Sequence, residues 1–325
     1  MLCRKQTQAV YPFRNFNMKV FITIAFAAAA AATDLLIPLY QFPANNGQVW
    51  APIEQALTDN PNLNAKIIIN PNNGPGNGID DPQYVAGTKA LGSHPNAQMV
   101  GYVHTSTDFG QTRCNVPYSQ IEADIRTWSS WVSRGVPIQG IFIDEAPTNT
   151  ANNCVEYMRN LTDLIRNDPD ILFPQRLVIF NPGGTGTLQP YYDLNPTYIV
   201  SLETCFVVPE RAGGEYDQCD PAFPNWERYD HDGYGSSIDN VLFPNIGQVN
   251  APRTAVLVHG FHDTNGPSAN LQATEEVLRN MIRTVVQRRI GATFFNTAGY
   301  HQFSDGPASI QVVARLLSEA NAGSL

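Results

Sequence analysis

Three acidic residues stand where apolar runs of the chain end, and side chains of this type could carry out general acid–base or nucleophilic chemistry. Asp144 and Glu145 follow the run Ile-Phe-Ile, and Glu203 follows the run Val-Ser-Leu. A carboxylate beside a buried strand is destabilising unless it is paired or used. Glycoside hydrolysis requires a pair of acids, one to protonate the leaving oxygen and one to attack or to activate water. The alternative is that these acids only cap the helices that follow.

Polar and aromatic residues at or beyond the ends of the other apolar runs are candidates for substrate binding. They are Tyr40, Asn70, His104, Asn181, His259, Asn296 and Tyr300, together with Trp226 in a long aromatic-rich segment over residues 206–250. Rings interleaved with acids and amides suit a sugar, because a pyranose has an apolar face and a polar rim. The alternative for the long segment is that its rings only pack it onto the body of the protein.

Other chemistries find little support in the sequence. His259 and His262 could be part of a metal site, but they lack the spacing of a His-Glu-x-x-His helix, so a hydrogen-bonding or core histidine is favoured. No Gly-x-Ser-x-Gly elbow is present, which disfavours an α/β-hydrolase. We therefore predict neither a metal nor a cofactor.

The elements that must position these residues alternate between short apolar runs and helical stretches. The predicted strands are Leu35–Tyr40, Lys66–Asn70, Met99–Thr105, Gly140–Asp144, Arg176–Asn181, Tyr198–Glu203, Ala255–Gly260 and Ala292–Asn296. The predicted helices include Tyr118–Arg134, Asn153–Asn167, Ala273–Arg289 and Pro307–Ala320. Strands that are apolar on both faces are typical of parallel sheets covered by helices. The pattern predicts an α/β fold, a single-domain (β/α)8 TIM-like barrel over residues 33–325, with an open doubly wound sheet as the alternative.

The first 32 residues read as a secretory signal peptide. Four basic residues precede an apolar, alanine-rich run, and no acid occurs before Asp34. Met18 would itself make a conventional start. A secreted, extracellular or cell-wall protein is expected, and the alternative is a signal-anchor that is never cleaved.

The formal net charge of −9 argues against nucleic acid and anionic lipid as partners. Beyond the leader the chain has four cysteines, an even number that suits an oxidising compartment. Of the three possible pairings we predict Cys114–Cys154, over neighbouring strand ends, and Cys205–Cys219, within one loop. Asn160 lies in the N-glycosylation sequence Asn-Leu-Thr and is predicted to be glycosylated.

The order of several short motifs resembles that of the spherulation-specific family 4 proteins, which form glycoside hydrolase family 135. The motifs are Leu36–Tyr40, Ile68–Asn72, Gly101–Thr105, Gly140–Glu145, Phe180–Gly183 and the Glu-Thr pair that begins at residue 203. The resemblance implies a (β/α)8 barrel and an endo-acting enzyme that cleaves α-1,4-linked N-acetylgalactosamine in an exopolysaccharide.

The resemblance also implies that the family's acidic residues fall on Asp144, Glu145 and Glu203. In this interpretation Asp144 attacks the sugar, Glu203 donates the proton, and Glu145 orients the substrate or tunes Asp144. We expect a monomer with a polysaccharide substrate. The alternative function is a non-catalytic carbohydrate-binding, cell-wall or spore-coat protein on the same barrel.

Overall fold

The apolar runs of the chain form eight parallel strands that close into a barrel in sequence order. The computed structural model describes residues 32–108, 112–183, 187–206, 238–261, 273–297 and 300–325. The strands are β1 (Asp34–Leu39), β2 (Ala65–Ile69), β3 (Ala97–His104), β4 (Ile138–Asp144), β5 (Leu177–Phe180), β6 (Tyr198–Cys205), β7 (Thr254–His259) and β8 (Ala292–Phe295). All eight predicted strands are confirmed, with boundaries shifted by no more than a residue or two. The closed barrel excludes the open doubly wound sheet.

Helices cover the outside of the barrel between successive strands. In the described residues they are α1 (Ala51–Asp59), α2 (Pro82–Gly92), α3 (Tyr118–Ser133), α4 (Cys154–Asn167), α5 (Gln189–Tyr192), α6 (Phe243–Ile246), α7 (Glu275–Gln287) and α8 (Ile310–Asn321). Each strand therefore has an apolar environment on both faces, which is why its residues are almost continuously apolar. Strand β2 is buried along its whole length.

The packing of α3 on β3 depends on a glycine. A Cβ atom at Gly101 would lie 2.4 Å from the ring of Trp128, so no other residue fits there without displacing the helix. The indole nitrogen of Trp128 donates a 2.8 Å hydrogen bond to the carbonyl of Tyr102. This contact fixes the strand segment that leads to His104.

The amino-terminal end of the barrel holds a buried ion pair between Lys66 and Asp34. The Tyr198 hydroxyl donates a 2.6 Å hydrogen bond to the same aspartate. In (β/α)8 barrels this end supports stability, whereas catalytic groups gather at the carboxyl ends of the strands. The functional residues are therefore sought at the opposite end.

A disulfide joins Cys114 to Cys154, with their Cα atoms 5.8 Å apart, as predicted. The Cys205 side chain and Cys219 lie outside the described residues, as do Trp226 and the predicted leader up to residue 31. Asn160 is exposed on α4. Within the described ranges, no helix combines the length and apolarity needed to cross a membrane.

Candidate active site

The three acidic residues predicted from the sequence converge at the carboxyl end of the barrel. Asp144 is the last residue of β4 and pairs in register with His104 at the end of β3. Glu203 lies within β6, two residues before that strand ends. A register shift between Val200 and Leu202 precedes it. Such bulges re-aim the side chains that follow them and are frequent beside active sites.

Asn181, which follows β5, holds the carboxylates of Asp144 and Glu203 together. Its amide nitrogen donates to Oδ1 of Asp144 and to Oε2 of Glu203, each at 2.9 Å. The two hydrogens of an amide diverge by about 120°, so the bonded carboxylate oxygens lie about 5 Å apart. The backbone N–H of Gly183 donates to the side-chain Oδ1 of Asn181 and fixes the orientation of that amide.

Two tyrosines complete the hydrogen bonds of the acid pair. The Tyr102 hydroxyl donates to Oδ2 of Asp144, and the Tyr300 hydroxyl donates to Oε1 of Glu203, each at 2.7 Å. Tyr40 packs edge-on against both rings, at centroid distances of 5.8 Å and 5.6 Å. Burial and the neighbouring carboxylates raise the pKa of all three phenols, so they remain neutral donors.

The surroundings of Asp144 favour its protonated form near neutral pH. Burial, followed by the nearby Glu203 carboxylate, raises the pKa of Asp144 to about 7. The hydrogen bonds from Tyr102 and from the backbone N–H of Glu145 oppose this rise. The net effect is that Asp144 retains a proton more readily than an ordinary aspartate does.

Glu145 leaves the strand and occupies a different environment from Asp144. Its φ of 52° lies in the left-handed region, which is strained for a residue with a side chain. The Thr105 hydroxyl donates a 2.6 Å hydrogen bond to its carbonyl. Its Oε2 atom lies 3.4 Å from Nδ1 of His104 and has no hydrogen-bond partner among the described residues. The separate position agrees with a role distinct from that of Asp144.

His104 is held beside this carboxylate. Its Nδ1 atom lies 2.7 Å from the carbonyl of Ser106, so we assign the Nδ1 proton to that bond. The Glu145 carboxylate raises the pKa of His104, and burial opposes the rise. The histidine therefore adds a positive charge to this side of the site more readily than a free imidazole would.

A cavity of about 530 Å³, here called the main cavity, opens over Asp144 and Glu145. Of the predicted binding residues, Tyr40, Asn70 and His104 line it. Asn70 also accepts a 3.1 Å hydrogen bond from the backbone N–H of Gly74, which shapes the loop after β2. The main cavity thus extends from Asp144 and Glu145 towards β1, β2 and β3, and Glu203 is not among the residues that line it.

Three other predicted binding residues are buried and do not line the main cavity. Asn181 is buried and serves the acid pair, as described above. His259 is buried against the Tyr300 ring at 5.4 Å, and burial lowers its pKa. Asn296 is buried and donates to the carbonyl of Gln302. Among the residues that the structure describes, no group of three or more histidine, cysteine or acidic side chains could hold a metal ion.

Sequence reasoning missed several residues of the main cavity. They are Tyr102, Ser106, Thr107, His301 and the asparagines at positions 72 and 73. Tyr102 could have been predicted from the sequence. Side chains alternate along a strand, so Tyr102 lies on the same face of β3 as His104, which follows it by two residues. The others lie in loops, where no periodicity predicts which side chains face the site.

Comparison with known proteins gives a family and a fold. The model of the spherulation-specific family 4 matches residues 34–314. The crystal structure of Aspergillus clavatus Sph3, solved in complex with GalNAc, superposes with a TM-score of 0.60 at 20% identity, over 89% of this chain and 99% of that chain. A family GH18 chitinase from Cycas revoluta, in complex with allosamidin, gives a TM-score of 0.46 at 10% identity, over 90% of this chain and 99% of that one. No curated protein matches the chain.

Proposed function

This chain belongs to the spherulation-specific family 4, and we propose that it is a glycoside hydrolase that cleaves α-1,4-linked N-acetylgalactosamine within an exopolysaccharide. The observation that carries the proposal is the single Asn181 amide bonded to both Asp144 and Glu203 at 2.9 Å. The two bonded oxygens, about 5 Å apart, support the spacing of about 5–5.5 Å that retaining glycosidases use. A purely structural pair of acids gains nothing from this spacing, because like charges repel.

The hydrogen bonds favour a division of roles within the pair. Asp144 accepts from Tyr102, Asn181 and the backbone of Glu145, whereas Glu203 accepts from Asn181 and Tyr300. More donors stabilise more charge. In the substrate complex we assign the negative charge to Asp144, whose donors oppose the burial that raises its pKa in the free protein, and the transferable proton to Glu203.

Cleavage then proceeds in two displacements. The Asp144 carboxylate forms a bond to C1 while the bond from C1 to the leaving oxygen breaks and Glu203 gives that oxygen its proton. A water molecule next attacks C1, Glu203 takes up a proton from the water, and the bond to Asp144 breaks. Both acids end in their starting states.

The substrate follows from the family and from the chemistry of the sugar. Sph3 was solved in complex with GalNAc, which supports a substrate that contains N-acetylgalactosamine. In an α-linked unit the acetamido group is cis to the leaving oxygen and cannot attack C1 from the opposite face. The protein must then supply the nucleophile, and Asp144 is placed to do so.

We also propose that the protein acts outside the cell. The basic and alanine-rich leader supports secretion. The Cys114–Cys154 disulfide supports it further, because such bonds persist in oxidising compartments. Exposure of Asn160 on α4 is compatible with glycosylation there.

The test is incubation of the purified protein with a panel of amino-sugar polymers, with products identified by mass spectrometry. Cleavage is expected only for the polymer with α-1,4-linked N-acetylgalactosamine. Asp144→Asn and Glu203→Gln should each reduce turnover by at least about 1,000-fold, since each removes an essential charge or proton while keeping the side-chain volume.

The matched controls are Asp59→Asn and Glu156→Gln, the same changes at exposed positions on α1 and α4. They should cleave as the wild type does. Binding of the polymer without release of any product would instead favour a carbohydrate-binding protein. Near-normal turnover by either active-site variant would remove that residue from the mechanism.

A further inference from the structure

A second cavity, of about 570 Å³, lies next to the main cavity on the side of β1 and β2. Its walls include Phe42, Tyr84, Asp81 and Gln83. Pro71 and Asn72 line both cavities, so the two share a wall formed by the segment after β2. A polymer lying over the acid pair can therefore continue into the second cavity without leaving the protein surface.

Phe42 gives the second cavity an exposed aromatic surface that is firmly held. The residue is 45% exposed, and its ring packs edge-on against Tyr84, with centroids 5.5 Å apart. Tyr84 in turn packs against the fully buried Trp50. The Trp50 indole donates to the carbonyl of Gln41, the residue before Phe42. The Phe42 ring is therefore held by its contact with Tyr84 and by the hydrogen bond that Trp50 makes to the adjacent backbone.

The backbone beneath Phe42 is equally constrained. A Cβ atom at Gly47 would lie 2.6 Å from the Cα atom of Gly87 on α2, so the loop after β1 contacts the helix directly. Single exposed apolar side chains are common on soluble proteins and carry no meaning alone. A pre-positioned ring beside a cavity that continues from the acid pair is different, because it lowers the ordering cost of binding.

The polar residues around Phe42 complete a surface that matches a sugar unit. Asn72 is exposed, and Gln83 and Asp81 are partly exposed at the start of α2. Asp81 also accepts the backbone N–H of Gln83, so its carboxylate is held in place. An aromatic face with amide and carboxylate groups at its margin can contact both the apolar face and the polar rim of an amino sugar.

We propose that the second cavity is a distal subsite for amino-sugar units of the same polysaccharide chain, with Phe42 as its stacking platform. The proposal rests on the proposed function for the identity of the polymer. Stacking on Phe42 adds affinity for chains long enough to reach it from the acid pair. It thereby favours cleavage within long chains over cleavage of short ones.

The test measures binding of α-1,4-linked N-acetylgalactosamine oligosaccharides of increasing length to the Asp144→Asn protein, which leaves them intact. Affinity should rise with length, and adding Phe42→Ala should lower it about 3- to 10-fold for the long oligosaccharides. Phe42→Trp should retain the gain with length. Leu172→Ala is the matched control, because Leu172 is 47% exposed and does not line either cavity.

Equal affinity of the Phe42→Ala and parent proteins for long oligosaccharides would overturn the subsite, as would affinity that does not increase with length. If the wild-type protein binds these oligosaccharides but does not cleave them, only the proposed hydrolase activity is contradicted. The effect of Phe42→Ala on affinity would still test the subsite. If the parent protein binds none of them, both proposals fail.

Discussion

At the scale of single residues, the site depends on how an amide can hold two acids close together. The nitrogen of Asn181 offers one hydrogen to Asp144 and the other to Glu203. Its donors offset part of the repulsion between the carboxylates, but Asp144 still retains a proton more readily than an ordinary aspartate does. A retaining glycosidase needs one charged and one protonated acid at the start of its cycle.

The raised pKa of Asp144 predicts a pH-dependent stability that needs no substrate to measure. A carboxyl whose pKa rises from 3.8 to about 7 on folding favours the folded state below about pH 4. That stabilisation is lost as the pH rises through 7. Asp144→Asn resembles the protonated acid, since its amide can donate to the Tyr102 hydroxyl, and it does not titrate.

The difference in unfolding free energy between Asp144→Asn and the wild type should therefore increase by about 1–3 kcal/mol from pH 5 to pH 8. Chemical denaturation at both pH values measures it. Asp59→Asn, at an exposed position, should show no such increase. A constant difference for Asp144→Asn would mean that the carboxyl titrates normally in the folded protein.

At the scale of elements, the loops after β3 and β4 are tied together above the strand ends that carry the site. Cys114 precedes α3 and Cys154 begins α4, and their disulfide spans a sequence separation of 40 residues. The segment between β3 and Cys114 includes Ser106 and Thr107, which line the main cavity. The disulfide therefore restrains a wall of the site as well as the fold.

Replacing both Cys114 and Cys154 with serine should lower the free energy of unfolding by about 2–4 kcal/mol, because the unfolded chain regains freedom. It should also raise KM by loosening the cavity wall. Thermal unfolding and steady-state kinetics of the double variant measure the two effects. Mutation is preferable to a reducing agent, which would also act on the predicted Cys205–Cys219 bond. An unchanged melting temperature would show that the bond adds no stability.

At the scale of the whole molecule, the buried ion pair that stabilises the barrel and the acids of the candidate active site lie at opposite ends of the barrel. The buried Lys66–Asp34 pair lies at the amino-terminal end, and the acid pair lies at the carboxyl end. The sequence predicts this arrangement well, because strands covered on both faces must be apolar and polar residues then mark where they end. The eight strands and the position of Asp144 follow from that rule, whereas Glu203 lies two residues before the end of β6.

The features that the sequence could not predict depend on loops and on precise geometry. Phe42 and His301 follow no periodic pattern, and the register shift before Glu203 leaves no sign in the composition of β6. Asn181 could be predicted as a polar strand end, but its contact with both acids depends on its side-chain orientation. Long-range geometry of this kind is set by the packed barrel and not by local sequence.

The most direct test of the account is the anomeric configuration of the first product, followed by NMR during early hydrolysis of an α-1,4-linked N-acetylgalactosamine polymer. Two carboxylates about 5 Å apart leave no room for a water molecule between Asp144 and C1, so we expect retention. The first sugar released should be the α anomer, which then mutarotates. An initial β anomer would contradict the account, since it would require water to attack C1 directly.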